Sequence, residues 1–276
     1  MSKVKKILIK ARREVLSEII GNNPSPFKGE GYDFIELREY ESGDDIRHID
    51  WNITAKMQTP YIKVFREERE LNVVVASMLN GSMHFGSKKF KQDVVAELVA
   101  LLGYSAIKNS DMFSSYLFAD KMYSFTRATK RESVLQKSVE SIVEFEPINK
   151  KANYTLMHEY LYKSIKRKSL IILIGDFFEE VNFKLLSAKH EVLAIVVRDR
   201  LEESPPKFGF SSLLDLESGV NVEGDFNESS VKEYEKKVKE HDLKLFDRFR
   251  KQKIRYVKAY TDDSMAIKIR KLFGVM

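Results

Sequence analysis

An α/β fold built on a doubly wound, mostly parallel sheet is predicted by three features of the sequence. Apolar runs without polar alternation at residues 73–76, 170–174 and 192–197 read as strands buried on both faces. Between them lie longer stretches whose apolar residues recur at helical spacing. The two kinds of segment alternate along most of the 276 residues, as strand–helix–strand units around a parallel sheet do.

Each element follows from local pattern. Ile7, Ile9, Val15, Leu16, Ile19 and Ile20 among charged residues predict an amphipathic helix over residues 4–20, stopped by Gly21-Asn22-Asn23-Pro24. Ile35 and Leu37 alternate with Glu36 and Arg38 as in a strand, then come a Ser42-Gly43-Asp44-Asp45 turn, another short segment and a second strand candidate at 61–65. Residues 1–70 therefore read as a small β-containing extension without a large core. It is expected to bury Ile35, Leu37 and Trp51 on a body formed by residues 71–276. In that body, a strand at 71–76 leads to a long helix marked by Phe90, Val94, Leu98, Leu101 and Leu102. Strands at 112–118 and 122–125 precede helices at 131–143 and 153–165. A buried strand at 170–174, a short helical stretch at 183–187 and a third buried strand at 192–197 follow. After a looser segment containing Pro205-Pro206 and residues 213–222, a helix at 229–251, a strand at 254–257 and a helix at 263–272 complete the alternation.

Composition excludes several functions. With 43% apolar residues the chain can bury a sizeable core, which removes general disorder. Lysine and arginine number 47 against 41 acids, giving +6, but the signs are interleaved, as in Lys232-Glu233-Tyr234-Glu235-Lys236-Lys237. That pattern suits a solvated helix face better than a nucleic-acid stripe, so no nucleic acid is expected as a partner. No cysteine is present, which excludes disulfides, thiolate metal sites and thiol nucleophiles. The apolar runs are far shorter than the ~20 residues that cross a bilayer, and the basic start lacks the apolar core of a secretory signal. A soluble, cytoplasmic protein without membrane insertion is the expectation.

Ligands of doubly wound sheets bind beyond the carboxyl ends of the central strands, here the loop Met78-Leu79-Asn80-Gly81-Ser82-Met83-His84-Phe85-Gly86-Ser87-Lys88. Gly81 and Gly86 have the glycine spacing of a phosphate loop. However, Ser87 stands where its lysine belongs, and Lys89 follows Lys88 in place of a serine or threonine. His158-Glu159 begins like a zinc-protease motif, but Tyr162 occupies the second histidine's place, and no nucleophile elbow of the Gly-x-Ser-x-Gly type is present. The acids Asp33, Glu36, Glu39, Glu41, Asp44, Asp45 and Asp50 read as an ion-pair and turn network with Arg38 and Arg47, in which Asp44 or Asp45 caps the turn into Ile46. Trp51, the one tryptophan, is either a core anchor or a binding hot spot.

The strand, the Gly81-Ser82-Met83-His84-Phe85-Gly86 loop, the long helix and the later strand ending in Ile174-Gly175-Asp176-Phe177 resemble a von Willebrand factor A type domain. Several further stretches resemble the signature of the bacterial domain-of-unknown-function family 58. They are residues 28–34, Leu37-Arg38-Glu39-Tyr40, the block from Gly43 to Asn52, Glu67-Glu68-Arg69-Glu70, Arg198-Asp199 with Glu202 and Pro205, and residues 214–219. The resemblance implies an A-type domain with an N-terminal extension, often encoded beside MoxR-type AAA+ ATPases, in a family with no established common enzymatic activity. Many A-type domains hold Mg²⁺ through a D-x-S-x-S loop, a threonine and a later aspartate. Matching that pattern puts Met78 at the aspartate, Asn80 and Ser82 at the serines, the threonine's place near Ala152-Asn153 or Thr155, and Asp176 at the last position. A thioether is a poor ligand for a hard cation, so this metal site reads as degenerate and no metal or other cofactor is expected. The function implied is a non-enzymatic, protein-binding adaptor whose partner is a MoxR-type AAA+ ATPase, with Arg38, Arg47, Trp51 and Ser82 as candidate contacts. The alternative is a magnesium-dependent hydrolase or phosphoryl-transfer enzyme using Asp176.

Overall fold

The computed structural model describes residues 2–20, 33–66 and 70–274. In chain order its first elements are α1 (Lys3–Ile20), β1 (Asp33–Glu39), α2 (Trp51–Met57), β2 (Tyr61–Arg66), β3 (Asn72–Met78), α3 (Lys91–Lys108), β4 (Met112–Phe118) and β5 (Met122–Phe125). There follow α4 (Glu132–Val143), α5 (Tyr154–Ser164), β6 (Leu170–Gly175), α6 (Lys184–Lys189), β7 (Glu191–Arg198) and α7 (Arg200–Glu203). The last are β8 (Gly209–Leu214), β9 (Asn221–Phe226), α8 (Glu228–Lys251), β10 (Arg255–Tyr260) and α9 (Met265–Phe273). Two compact units result, one of Met1–Phe27 with Asn72–Met276 and one of Lys28–Leu71.

The larger unit is the doubly wound sheet. Its strands lie in the order β10-β7-β6-β3-β4-β5, parallel except for β5 at the edge. The chain starts the sheet at β3, adds β4 and β5 on one side, then crosses to build β6, β7 and β10 on the other. The winding therefore reverses between β3 and β6, and the crevice beyond their carboxyl ends is where such sheets place ligands. Val74, Ala76 and Met78 join Ile171, Leu173, Ala194 and Val196 in one core cluster with Met157 of α5, Leu186 of α6 and Phe249 of α8. Residues of opposite parity, Val73 and Val75 among them, are equally buried and turn to the layer of α3 and α9. Burial on both faces is why these strands read as unbroken apolar runs.

α1 belongs to this unit, not with the extension to which the sequence reading assigned it. Val4, Leu8, Ala11 and Val15 form one buried stripe against α3, flanked by ion pairs from Lys3 to Asp93 at 2.6 Å and Lys10 to Glu97 at 2.5 Å. With α1 on one side and the sheet on the other, α3 is buried nearly all round. The segment expected to be loose contains a hairpin, β8 paired antiparallel with β9. Its residues are mostly exposed on both faces, so the inside–outside alternation that marks a strand never developed.

The smaller unit pairs β1 with β2 antiparallel, with an irregularity between Phe34 and Glu36. Asp50 caps α2 by accepting from the backbone amides of Asn52 and Ile53 at 3.0 and 3.1 Å. Trp51, expected to bury on the body, is 70% exposed at the first turn of that helix, whereas Leu37 is half-buried. The side chain of Ile35 lies outside the described residues, as do residues 21–32 and 67–69 with their share of the family-like signature.

Ala11 is fully buried where α1 meets α3, so Ala11→Leu should overpack that contact and lower unfolding free energy by about 1–3 kcal/mol. Exposed Lys5→Ala is the control, with chemical denaturation as the measurement.

Candidate functional site

The crevice between β3 and β6 holds a buried polar cluster centred on Asp176. Asp176 directly follows β6, and the next residue, Phe177, adopts a left-handed backbone at φ +54°, which a bulky side chain occupies only where its surroundings enforce it. Here they do: the Phe177 ring stacks on Tyr154 and meets Phe249 edge-on, and its amide donates to the Tyr154 hydroxyl at 2.9 Å. The reversal turns the Asp176 carboxylate toward the loop after β3.

That carboxylate is fully buried, and its partners come from four elements. Asn80 Nδ2 donates to it at 2.9 Å, Ser82 Oγ donates to the same oxygen, and Tyr154 OH donates at 3.2 Å. Lys91, also fully buried, donates to Ser82 Oγ at 3.3 Å and pairs with Glu202 of α7 at 2.5 Å. Arg198, at the end of β7, donates to the Asp176 backbone carbonyl, pairs with Asp242 of α8 at 3.2 Å, and lies 3.5 Å over the Phe178 ring. Burial alone would push the Asp176 carboxyl up. The charges of Lys91 and Arg198, with the hydrogen bonds from Ser82 and Asn80, outweigh it and hold the group below the usual carboxylate range.

A third carboxylate arrives from the β8–β9 turn. Glu217 accepts from Asn80 Nδ2, so one amide group bridges two acids. Close backbone approach makes this possible, because a Cβ at Gly81 would collide with the Leu216 carbonyl. Asn149, itself at φ +61°, donates its amide to that carbonyl at 2.8 Å. Burial, together with the charges of Asp176 and Asp215, pushes the Glu217 carboxyl above its ordinary value despite the Asn80 hydrogen bond.

The positions matched to a magnesium site do gather here, but they do not fit a divalent cation. Met78 is fully buried with a thioether where a carboxylate would be needed. Asn80 and Ser82 act as donors toward Asp176, and the Lys91 ammonium supplies the positive charge. The threonine's place is taken by neither candidate: Asn153 caps α5 through Leu156 N at 2.9 Å, Thr155 lines a separate cavity, and Tyr154 reaches Asp176 instead. Among the described residues no three His, Asp or Glu side chains converge to hold a metal ion.

Of the proposed partner contacts, only Ser82 lies in this cluster. Arg38 is bound bidentately to Asp44 at 2.8 and 2.7 Å, and Asp45 caps the turn Ile46–His48 while pairing with Arg47 at 2.6 Å. Arg38, Arg47 and Trp51 belong to the smaller unit, where Asp44, Asp45 and Asp50 serve as caps or ion-pair partners. Sequence reading did not assign Lys91, Arg198, Glu202, Glu217 or Tyr154 a role. One signal for Lys91 was available: a cation in the first turn of a helix opposes the helix dipole and calls for a compensating acid nearby.

Two outcomes follow. Lys91→Met takes from Glu202 its ion-pair partner and leaves Asp176 with Arg198 as its remaining nearby cation, and should cost about 3–5 kcal/mol in denaturant titration. Because the folded Glu217 carboxyl holds its proton more tightly than an unfolded one of ordinary value 4.5, its contribution to stability falls as pH rises through that range. Glu217→Gln should therefore raise Tm at pH 7 by roughly 1–3 °C, and the gain should vanish well below pH 4.5 in scanning calorimetry.

Several known proteins are similar to this chain. Uncharacterized proteins Rv1480 of Mycobacterium tuberculosis and Mb1516 of Mycobacterium bovis are each 25% identical over 210 residues, covering 72% of this chain and 65% of their own length. The match thus spans just under two thirds of those relatives. Among solved structures, conserved hypothetical protein BatB from Bacteroides thetaiotaomicron is 14% identical with a TM-score of 0.47, over 74% of this chain and 97% of that one. An aerotolerance-related membrane protein from Bacteroides fragilis is 14% identical with a TM-score of 0.46, over 75% and 100%. An uncharacterized membrane spanning protein from Vibrio fischeri is 12% identical with a TM-score of 0.26, over 75% and 98%. Two of these similar proteins are described as membrane proteins, so the cytoplasmic location expected from the sequence does not stand. Its physical basis was too narrow: a chain without cysteine suits any redox compartment. That no helix among the described residues is long and apolar enough to cross a membrane describes those residues, not a location. A family model described as "Protein of unknown function DUF58" matches residues 36–244. The chain belongs to the DUF58 family.

Proposed function

We propose that this chain is a non-enzymatic protein-binding module and that its partner is a MoxR-type AAA+ ATPase, as the family resemblance implies. The observation that carries the binding reading is the β8–β9 hairpin, which offers Phe210 at 76%, Val220 at 59% and Val222 at 56% exposure. Large apolar side chains exposed on one hairpin, Phe210 on one face and Leu213 with Val222 on the other, suit an interaction surface more than catalysis. The enzyme reading is weakened by the pairing inside the crevice. Ser82, the available nucleophile, donates to Asp176, its nearest acceptor, and that carboxylate, held below the usual range by Lys91 and Arg198, is a weak proton acceptor. Arg47 at 84% and Trp51 at 70% exposure offer a second contact in the smaller unit, with side-chain types that dominate binding energies.

The test is interferometry with the purified MoxR-type ATPase of the same genome, in each nucleotide state. Wild type should bind, and Phe210→Ser with Val222→Ser should weaken binding by roughly tenfold or more at unchanged Tm. Arg47→Ala and Trp51→Ala report on the second contact in the same way. Absence of binding in every nucleotide state overturns the ATPase as partner. Magnesium-dependent phosphate release that Asp176→Asn abolishes in a folded protein would reinstate the enzyme.

A further inference from the structure

Next to the Asp176 cluster a groove of about 630 Å³ runs between the β8–β9 hairpin, α7 with its following loop, and α8. Its walls are mainly apolar, with Phe85, Leu201, Pro206, Leu213, Phe226 and Tyr234 contributing large side chains. Its charged lining residues are Glu202, Asp215, Glu217 and Asp225, and no lysine, arginine or histidine lines it. This is unusual in a chain of net charge +6. Glu202 is already paired with Lys91. The other three accept hydrogen bonds from uncharged donors, Asp215 from Ser218 and the Glu217 amide, Glu217 from Asn80, and Asp225 from Asn227, with the charge of Lys151 also acting on Asp215. Three carboxylates beside an apolar wall without an ion-pair partner among the described residues form an incomplete charge arrangement. A cation brought in on an apolar carrier completes it.

We infer that this groove binds an apolar segment of a partner protein carrying a lysine or arginine, the cation seating at Glu217 and the flanking apolar residues against Leu213 and Phe226. The inference rests on the protein-binding reading and gives the partner its chemistry. A small inorganic cation would leave the apolar walls uncovered, and a purely apolar segment would leave desolvated carboxylates beside it, which is costly. An acidic segment would be repelled. The raised proton affinity of Glu217 agrees with a carboxylate that lacks a cation.

The probe is a dye-labelled peptide of about ten residues, leucine- and serine-rich, with one central lysine, compared with peptides carrying glutamine or glutamate at that place. Fluorescence anisotropy should give the lysine peptide roughly tenfold tighter binding than the glutamate peptide. Glu217→Gln should reduce that preference by about fivefold while Leu213→Ser weakens all three peptides, with Tm followed for each variant. Glu159→Gln, on α5 outside the groove, should change nothing. Equal binding of the lysine and glutamate peptides, no measurable binding of the lysine peptide, or an unchanged preference in Glu217→Gln overturns the inference. The ATPase measurement separates the two readings. If Leu213→Ser and Glu217→Gln bind the ATPase as wild type does, the groove assignment falls and the adaptor stands. If the lysine peptide binds as expected and the ATPase does not, the groove stands and that partner falls.

Discussion

A carboxylate removed from water at the switch point of the sheet has to be met by positive charge and hydrogen-bond donors, and the surroundings of Asp176 are arranged around that requirement. An unpaired buried ion is costly enough to change protonation or unfold the site. Lys91 and Arg198 supply the charge from opposite sides, and Asn80, Ser82 and Tyr154 supply donors. Each cation is in turn neutralised one step outward, Lys91 by Glu202 and Arg198 by Asp242, which also pairs with Lys258 of β10 at 2.6 Å. Asp199 extends the same logic along β7. It accepts from Ser87 of the β3 loop at 2.8 Å and from Thr261 after β10, and its capping box with Glu202 starts α7. The carboxyl ends of β3, β6, β7 and β10 are thus joined by one network of alternating sign.

The hairpin turn completes the network on one side and opens a different surface on the other. Glu217 reaches inward to Asn80 while the strands on either side hold apolar residues outward, so a single turn joins a polar interior to an exposed apolar face. Movement of the hairpin away from the loop after β3 would take Glu217 from the Asn80 amide, leaving it Ser82 and Asp176, and withdraw the Leu216 carbonyl from the Asn149 amide. Occupancy of the outer face and order in the crevice are therefore connected through very few atoms.

Much of the sheet was legible because its signals are local and unambiguous. Val73 to Ala76 has no polar interruption, so β3 falls within two residues of expectation, and Phe90, Val94, Leu98 and Leu101 keep helical spacing, the last three lying inside α3 and Phe90 just before it. The hairpin was not legible, since Gly209-Phe210-Ser211-Ser212-Leu213-Leu214 alternates for neither face and is exposed on both. Trp51 reads in the sequence as either a core anchor or a binding hot spot, because the placement of its side chain follows from the helix that Asp50 caps, whose first residue is 70% exposed. In the crevice, Asp176, Asn80 and Ser82 were found by spacing, whereas Lys91, Arg198 and Glu217 come from three separate elements that only the fold brings together. Met78 announced that a cation ligand was gone, but nothing in the sequence said that an ammonium group would replace the metal's charge.

The strand order also sets a timetable for synthesis. β3 is the central strand and the first of the sheet to leave the ribosome, with β4 arriving soon after on one edge. The other edge waits for β6, whose pairing joins Val73 to Leu170. At translation rates of 5–20 residues per second, nearly a hundred intervening residues leave that row of valines without its neighbour for roughly 5–20 s. During this interval the run 73–76 is an apolar strand with one open edge, the kind of segment that pairs with other chains. α3 and α1 are both already made by then, and the packing of α1 on α3 can begin before the second half of the sheet exists. α3, backed by α1, covers one face of β3 early, which leaves the open edge and the face later covered by α5, α6 and α8 as the vulnerable parts of the nascent protein.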